Sequence, residues 1–235
     1  MKVELVTFRN GQPTSVQYEY VPREEGERPM ALDVLLQAQD TKLPDLSFRY
    51  GCRNRTCGIC TVDINGKPRI ACRARVREGD KVSAVSSLPA VRDMVAARDA
   101  VARQLRGKLP NSLRGNDLNV EAPENYHSLT ACIECYACLD NCPMHARNSD
   151  GNGSWSNKDS AYRWGNPFSL LKLQRIRLDP VASASDKDEA FAAAKELGLE
   201  ACRDCPGCKC GVGIDLKRKV IEPLLEADSE AATKS

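Results

Sequence analysis

The sequence predicts an α+β protein: a mixed strand-and-helix part over residues 1–100, then an all-α part over residues 101–235. Apolar and polar residues alternate over 2–9 and 15–21, as on half-buried strands. From residue 167 onward the apolar spacing becomes helical, at intervals of three and four. The twelve cysteines fall into three tight groups of four, one in the first part and two in the second.

The elements follow in order. Lys2-Val-Glu-Leu-Val-Thr-Phe-Arg9 is a strand, Gly11-Gln-Pro13 a turn signal, and Ser15-Val-Gln-Tyr-Glu-Tyr-Val21 the returning strand of a hairpin. Residues 22–29 are charged, carry two prolines and read as a loop. Residues 30–39 place Leu32, Leu35 and Leu36 at helical spacing. Thr61-Val-Asp-Ile64 and Pro68-Arg-Ile-Ala71 are strands joined by a tight Asn65-Gly66 turn. Lys81-Val-Ser-Ala-Val85 completes the first part, and Leu88-Pro89 punctuates it. A helical pattern then runs over 91–105, with Val91, Met94, Val95 and Leu105 as its apolar positions. Residues 107–125, rich in Gly, Pro and Asn, are a linker, and the domain boundary is expected near 95–105. Residues 148–155 form a polar loop. Helices are expected over 167–178 (Leu170, Leu173 and Ile176 on one face), 186–197 (Ala190, Ala193, Ala194 and Leu197, with Gly198 as C-cap) and 216–226.

Charge and composition narrow the function. With 34 basic and 32 acidic residues the net charge is +2, which disfavours nucleic acid as a partner. No apolar run approaches the roughly 18 residues of a membrane span, so membrane contact is expected only through a partner. The chain opens on a strand pattern, not a signal peptide, and its cysteines are too closely grouped to pair across a fold. The expected compartment is the reducing cytoplasm, where close thiols bind metal. Of the two histidines, His127 and His145, neither is distinguished by sequence from an ordinary polar residue, and a centre needing paired histidines is disfavoured.

The cysteine spacings carry the chemistry. Cys52-x4-Cys57-x2-Cys60, with Cys72 after eleven intervening residues, matches the plant-type ferredoxin loop that binds a [2Fe–2S] cluster. The 61–71 hairpin would return Cys72 beside Cys60. A cluster's sulfurs accept hydrogen bonds, so the backbone must wrap closely with its N–H groups inward. Gly51 and Gly58 are expected to permit this, and Arg53 and Arg55 add positive charge. Zinc is the alternative, but it favours paired C-x2-C units. The second group, Cys132-x2-Cys135-x2-Cys138-x3-Cys142-Pro143, has the bacterial ferredoxin spacing, in which the fourth cysteine serves a different cluster from the first three. Two such clusters need four more thiols, and Cys202, Cys205, Cys208 and Cys210 supply them. The expected architecture is a β-grasp, plant-type ferredoxin-like domain followed by an all-α bacterial-ferredoxin-like domain.

These motifs, with Ser47-Phe-Arg-Tyr-Gly-Cys52, Asp63-Ile-Asn-Gly66 and Ile70-Ala-Cys72, resemble the iron–sulfur subunits of succinate dehydrogenases and fumarate reductases over nearly the whole chain. The resemblance implies an FAD flavoprotein subunit that interconverts succinate and fumarate, and single-electron transfer through three clusters toward a quinone. It implies that Cys52, Cys57, Cys60 and Cys72 hold [2Fe–2S], and that Cys132, Cys135 and Cys138, completed by Cys210, hold [4Fe–4S]. Cys142 would join a third cluster with ligands from 202–208. The family's third cluster is usually [3Fe–4S]. Here Cys205 stands where the family has a non-cysteine residue, so a [4Fe–4S] third cluster held by Cys142, Cys202, Cys205 and Cys208 is expected. The alternatives are [3Fe–4S] with Cys205 as a free thiol, and an exchange of roles between Cys208 and Cys210, whose one-residue spacing departs from the family.

Quinone-reactive members tend to carry a tryptophan and a histidine where this chain has Arg147 and Arg203. Trp155 and Trp164 are possible substitutes, though such tryptophans more often pack. The expected role is therefore a non-catalytic electron-transfer subunit between an FAD subunit and a quinone or other carrier. It would be cytoplasmic, or peripheral on the inner face of a membrane through an anchor subunit. The alternative is a subunit of a soluble flavoprotein oxidoreductase with another substrate, exchanging electrons with a thiol, ferredoxin or similar carrier. The chain has no evident acid, base or nucleophile outside the cysteines.

Overall fold

The computed structural model describes residues 1–103, 105–109, 121–140, 142–146 and 165–233. The polar stretch 148–155, the middle of the expected linker, and Arg147, Trp155 and Trp164 lie outside the described residues. The chain divides into two compact units, Met1–Arg98 with Ile133–Asp140, and Asp99–Cys132 with Asn141–Ser235.

In the first unit, β1 (Lys2–Arg9) and β2 (Gln12–Glu19) pair antiparallel from Lys2↔Glu19 to Arg9↔Gln12. The turn is therefore Asn10-Gly11, at φ 52° and 77°, the left-handed pair that a two-residue hairpin needs. Pro13, expected in the turn, lies inside β2 opposite Phe8. It is tolerated because β2 is an edge strand and no ladder needs its missing N–H. β3 (Thr61–Ile64), β4 (Lys67–Ile70) and β5 (Lys81–Ser83) complete a five-stranded sheet of order β2-β1-β5-β3-β4. β1 and β5 are parallel and the other pairs antiparallel, so the sheet is mixed. The Asn65-Gly66 turn joins β3 to β4 as expected, at φ 52° and 73°.

α1 (Ala31–Thr41) buries Ala31, Leu32, Val34, Leu35 and Ala38. Leu36 is only half-buried, so the inward face is rotated toward Val34 from the expected one. Together with Val3, Leu5, Val62, Ile70 and Val82 these residues form the core. Each of the valine, leucine and isoleucine side chains among them contributes roughly 1.5–3 kcal/mol on burial. The N–H groups of Ala31 and Leu32 have no partner inside the helix. They donate to Ala74 O at 2.8 Å and Ala71 O at 3.1 Å, which ties α1 to the segment around Cys72.

The helix expected over 91–105 does not form as such. In its place are a short hairpin, β6 (Ala90–Arg92) with β7 (Val95–Ala96), and in the second unit a brief helix, α2 (Asp99–Arg103). The cause is Asp93, fully buried at φ 46°. Its carboxylate accepts Ser47 N–H at 2.8 Å and both Nε and Nη2 of Arg9, at 3.0 and 3.2 Å. Asp93 N–H donates to Phe8 O, and Met94 N–H to Ser47 O. These long-range bonds outweigh a local periodicity.

In the second unit, α5 (Pro167–Leu178) packs on α6 (Ala184–Glu196) and on α3 (Glu124–Thr130). Leu170, Leu171, Leu173, Ala190, Ala193, Ala194 and Leu197 supply the core, while Ile176 is half-buried. Asn166 Oδ1 caps α5 by accepting Ser169 N–H at 3.0 Å, with Pro167 in the first turn. Ser183 and Asp186 form a capping box on α6, and Gly198 at φ 87° ends it, as expected. The last helix starts differently from the expected 216–226. A π-turn, Lys217–Ile221, precedes α7 (Glu222–Thr233), and Glu222 N–H reaches back to Lys217 O. Pro223 has no N–H and its ring would crowd a regular helical carbonyl, and the wider turn relieves this. Among the described residues no helix is long and apolar enough to cross a membrane.

Asp93→Ala is expected to cost roughly 2–3 kcal/mol in denaturant unfolding, because it leaves Arg9 Nε and the Ser47 N–H without their acceptor while Asp45 retains the rest of the guanidinium. Asp63 on β3 is fully buried and holds Ser86 N–H at 2.9 Å, while its Oδ1 has no partner among the described residues. Burial raises its pKa above the ordinary aspartate range, against the pull of the Ser86 side chain and N–H. A raised folded-state pKa means that stability falls as pH rises from the unfolded aspartate range through the folded value. Asp63→Asn is therefore expected to melt above the parent at pH 7, and thermal scans should show this gain shrinking as pH falls through the raised folded value and levelling off once pH is below the unfolded aspartate value of about 4.

Candidate metal centres

The first group of cysteines lies wholly in the first unit. Cys60 immediately precedes β3 and Cys72 follows the end of β4, so the hairpin returns them to one place, with Ala71 N–H on Cys60 O at 3.0 Å. Their thiols are within hydrogen-bonding reach of one another, and both residues are buried. Burial pushes the Cys60 thiol up to about 11, a shift that the adjacent Cys72 thiol reinforces. Cys52 is exposed and behaves oppositely. Its Sγ accepts the backbone N–H groups of Asn54, Thr56 and Cys57, each at 3.3 Å. With the Thr56 side chain as the largest influence and these N–H groups behind it, the Cys52 thiol is drawn down to about 6.

Arg53 and Arg55 produce this arrangement through their backbones. Their φ values of 53° and 58° alternate with ordinary residues and turn successive N–H groups to one side, as in an anion-binding nest. The Arg53 guanidinium stacks over Tyr50, 5.3 Å from the ring centre. Of the two expected small residues, only Gly58 is needed among the protein atoms. It has φ 61°, and a Cβ there would lie 2.4 Å from Ile133 O and 3.1 Å from Cys135 N. A Cβ on Gly51 would meet Cys57 Sγ at an ordinary 3.5 Å.

At Gly58 the loop of the first group locks onto the run of the second. The Arg98 guanidinium donates to Gly58 O at 3.1 Å and to Glu134 O, and stacks 5.0 Å over the Tyr136 ring. Glu134 and Tyr136 have φ 53° and 60°, so Cys135 sits between two left-handed residues. Arg98 carried no functional signal in the sequence, since it lay inside an expected helix.

Cys135 and Cys138 belong to the first unit, Cys132 and Cys210 to the second. Cys135 is buried and the other three are half-buried. Cys210 Sγ accepts Val212 N–H at 3.5 Å. In the second unit, Cys142, Cys202, Cys205 and Cys208 come together: each of Cys142, Cys202 and Cys208 feels the field of the neighbouring thiols, Cys205 included. Burial is the leading cause and neighbouring thiols add to it, so Cys142 is raised, Cys202 goes to about 11 and Cys208 to about 12. The N–H groups of His145 and Met144 in α4 (Pro143–Ala146) favour the Cys142 thiolate. Among the described residues no three His, Cys, Asp or Glu side chains converge tightly enough to chelate a single ion. The thiol sets are thus more open than a mononuclear site. Inward N–H donors on Cys52 and Cys142 suit an anionic, sulfur-ligated group.

His127 lies on α3, and His145 is buried on α4. Arg203, which follows Cys202, is held by Glu200 in a two-point ion pair at 2.5 and 2.8 Å.

Residues 2–103 match the family described as "2Fe-2S iron-sulfur cluster binding domain". The chain is 26% identical over 232 residues to a subunit of the fumarate reductase (CoM/CoB) of Methanothermobacter marburgensis, covering 95% of this chain and 43% of that one. It is 30% identical over 164 residues to the fumarate reductase iron-sulfur subunit of Escherichia coli, covering 64% of this chain and 66% of the relative. It thus spans less than half of the first relative and about two thirds of the second. A solved structure, the Mycobacterium smegmatis Sdh1 complex in the apo form, contains a chain of the same fold, with TM-score 0.78, 22% identity, 98% of this chain covered and 95% of that one.

Gly58→Ala is expected to cost about 3 kcal/mol, from a left-handed non-glycine backbone and the forced displacement of Ile133 O. Gly51→Ala should cost less than about 1 kcal/mol, and a denaturant melt of the two variants checks the contrast.

Proposed function

This chain belongs to the iron–sulfur subunits of succinate dehydrogenases and fumarate reductases, and from that premise we propose that it passes electrons one at a time between an FAD-containing flavoprotein subunit and a quinone or other carrier. The observation that carries this is the Cys52 sulfur with three backbone N–H groups aimed at it, beside the paired Cys60 and Cys72. That environment favours an anionic sulfur and offers no catalytic acid or base. Iron–sulfur clusters, when bound, supply reversible one-electron redox chemistry. The protein's own part is to hold thiolates, donate N–H groups to sulfur and limit water.

The cysteines are assigned accordingly. Cys52, Cys57, Cys60 and Cys72 hold [2Fe–2S] in a domain read as a plant-type ferredoxin-like β-grasp, a reading favoured by its mixed sheet with α1 after the first hairpin. By the family pattern, Cys132, Cys135 and Cys138 with Cys210 hold [4Fe–4S]. The mutual proximity of Cys142, Cys202, Cys205 and Cys208 favours Cys205 as the fourth ligand of a third cluster, hence [4Fe–4S], in a bacterial-ferredoxin-like helical domain. A membrane anchor with quinone is a further expected partner. The Arg203–Glu200 pair, in place of a histidine, favours a second reading in which a thiol, ferredoxin or similar soluble carrier replaces the quinone.

Anaerobically purified protein is expected to hold about ten irons per chain, from one two-iron and two four-iron clusters. Stoichiometric zinc with little iron would sink the proposal. Cys205→Ser should lower the count by about one iron and produce the EPR signal of an oxidised [3Fe–4S] centre, absent from fresh parent protein. A co-purifying flavoprotein with a membrane anchor supports quinone; a flavoprotein alone supports the soluble carrier.

A further inference from the structure

A groove of about 550 Å³ opens on the first unit between the β3–β4 turn and the loop that follows Cys72. Lys67, Arg69, Arg73, Arg75 and Arg77 line it, all of them exposed. No ion pair among the described residues involves any of the five. The two nearby carboxylates serve other donors. Asp80 accepts Asn65 Nδ2 and Arg77 N–H, both at 2.8 Å, and Glu78 accepts Lys2 N–H at 2.9 Å. Five like charges in one concavity repel one another, and a chain with net charge +2 has no general excess to account for them. The sheet supplies the geometry: β4 turns Pro68 and Ile70 inward and Lys67 and Arg69 outward, and Arg73 directly follows the buried Cys72.

We propose that this groove receives an acidic protein face, that of the electron-transfer partner, and docks it beside the Cys60–Cys72 pair. The inference rests on the assignment of those cysteines to an electron-carrying cluster. Charge complementarity identifies the occupant. Nucleic acid fits less well, because no aromatic side chain lines the groove to stack a base and an acidic residue, Asp80, lies in it. Steering by such a patch raises association rates by about tenfold to a thousandfold at low salt and fades once the Debye length falls to a few ångström.

The test compares the parent with Arg73→Glu/Arg75→Glu/Arg77→Glu and with the neutral Arg→Gln triple variant, which keeps the result readable should charge reversal impair folding. Binding of a fluorescent oligoglutamate peptide and of single-stranded DNA of equal charge is read by anisotropy across a salt series. Dithionite-reduced protein is then mixed in stopped flow with hexacyanoferrate(III), which takes one electron to become hexacyanoferrate(II), and separately with hexaamminecobalt(III). In the expected result the parent binds the peptide at low salt, the reversed variant loses at least tenfold in affinity, and the neutral variant lies between. Oxidation by the anionic reagent slows by about tenfold and oxidation by the cationic one accelerates, both differences vanishing at high salt. Unchanged binding and unchanged salt slopes would overturn the proposal. So would tighter binding of the DNA than of the peptide, or a shift confined to the reduction potential, which would mean that the cations tune the cysteine site and dock nothing. If the parent holds no iron, the electron-transfer assignment fails by itself, and the peptide arm still reports on the groove.

Discussion

The first unit depends on a close approach at Gly58. The loop bearing Cys52, Cys57 and Cys60 and the run bearing Cys135 and Cys138 are far apart in sequence, and at Gly58 their backbones nearly touch. No side chain fits there. Arg98 closes the contact by donating to a carbonyl on each segment while its planar face covers Tyr136. A guanidinium suits this task because its several donors lie in one rigid plane and it stays charged. The first cysteine group and the Cys135–Cys138 part of the second, which look independent along the chain, are therefore joined within the first unit.

Around the sulfurs the protein uses backbone more than side chains. Left-handed residues at Arg53, Arg55, Glu134 and Tyr136 cost conformational energy. At Arg53 and Arg55 their effect is to aim N–H groups at the Cys52 sulfur. Cys60, Cys142, Cys202 and Cys208 are at least half-buried and crowded by other thiols, so their neutral forms are favoured until a cation compensates them. As thiolates, Cys60, Cys202 and Cys208 would in this sense be high in energy until a positive charge compensated them, which the irons of the proposed clusters would do. The unpaired arginines beyond Cys72 extend the same electrostatic logic to the surface.

Much of this was legible in the sequence. The hairpins, the Asn65-Gly66 turn, the Pro167 start of α5 and the Gly198 cap follow from local rules, and local rules are readable. Residues 91–105 show where such rules stop. Their spacing suits a helix, but a buried aspartate with partners at Arg9 and Ser47 draws the backbone into a hairpin. Pro13 entered a strand because its edge position needs no donor, a fact of sheet order. The π-turn before Pro223 and the rotated face of α1 likewise depend on what packs outside each helix.

By itself the sequence determined the grouping of the twelve cysteines, their ferredoxin-like spacings and the mixed-then-helical architecture, because ligand spacing and hydrophobic period are short-range properties of a chain. Only the tertiary structure decided which thiols meet. It set Cys142, Cys202, Cys205 and Cys208 within one another's electrostatic reach, made Gly58 and not Gly51 the indispensable glycine, and recruited Arg98 from a stretch with no signal. These outcomes depend on contacts between residues far apart in sequence, and neither spacing nor period encodes such contacts.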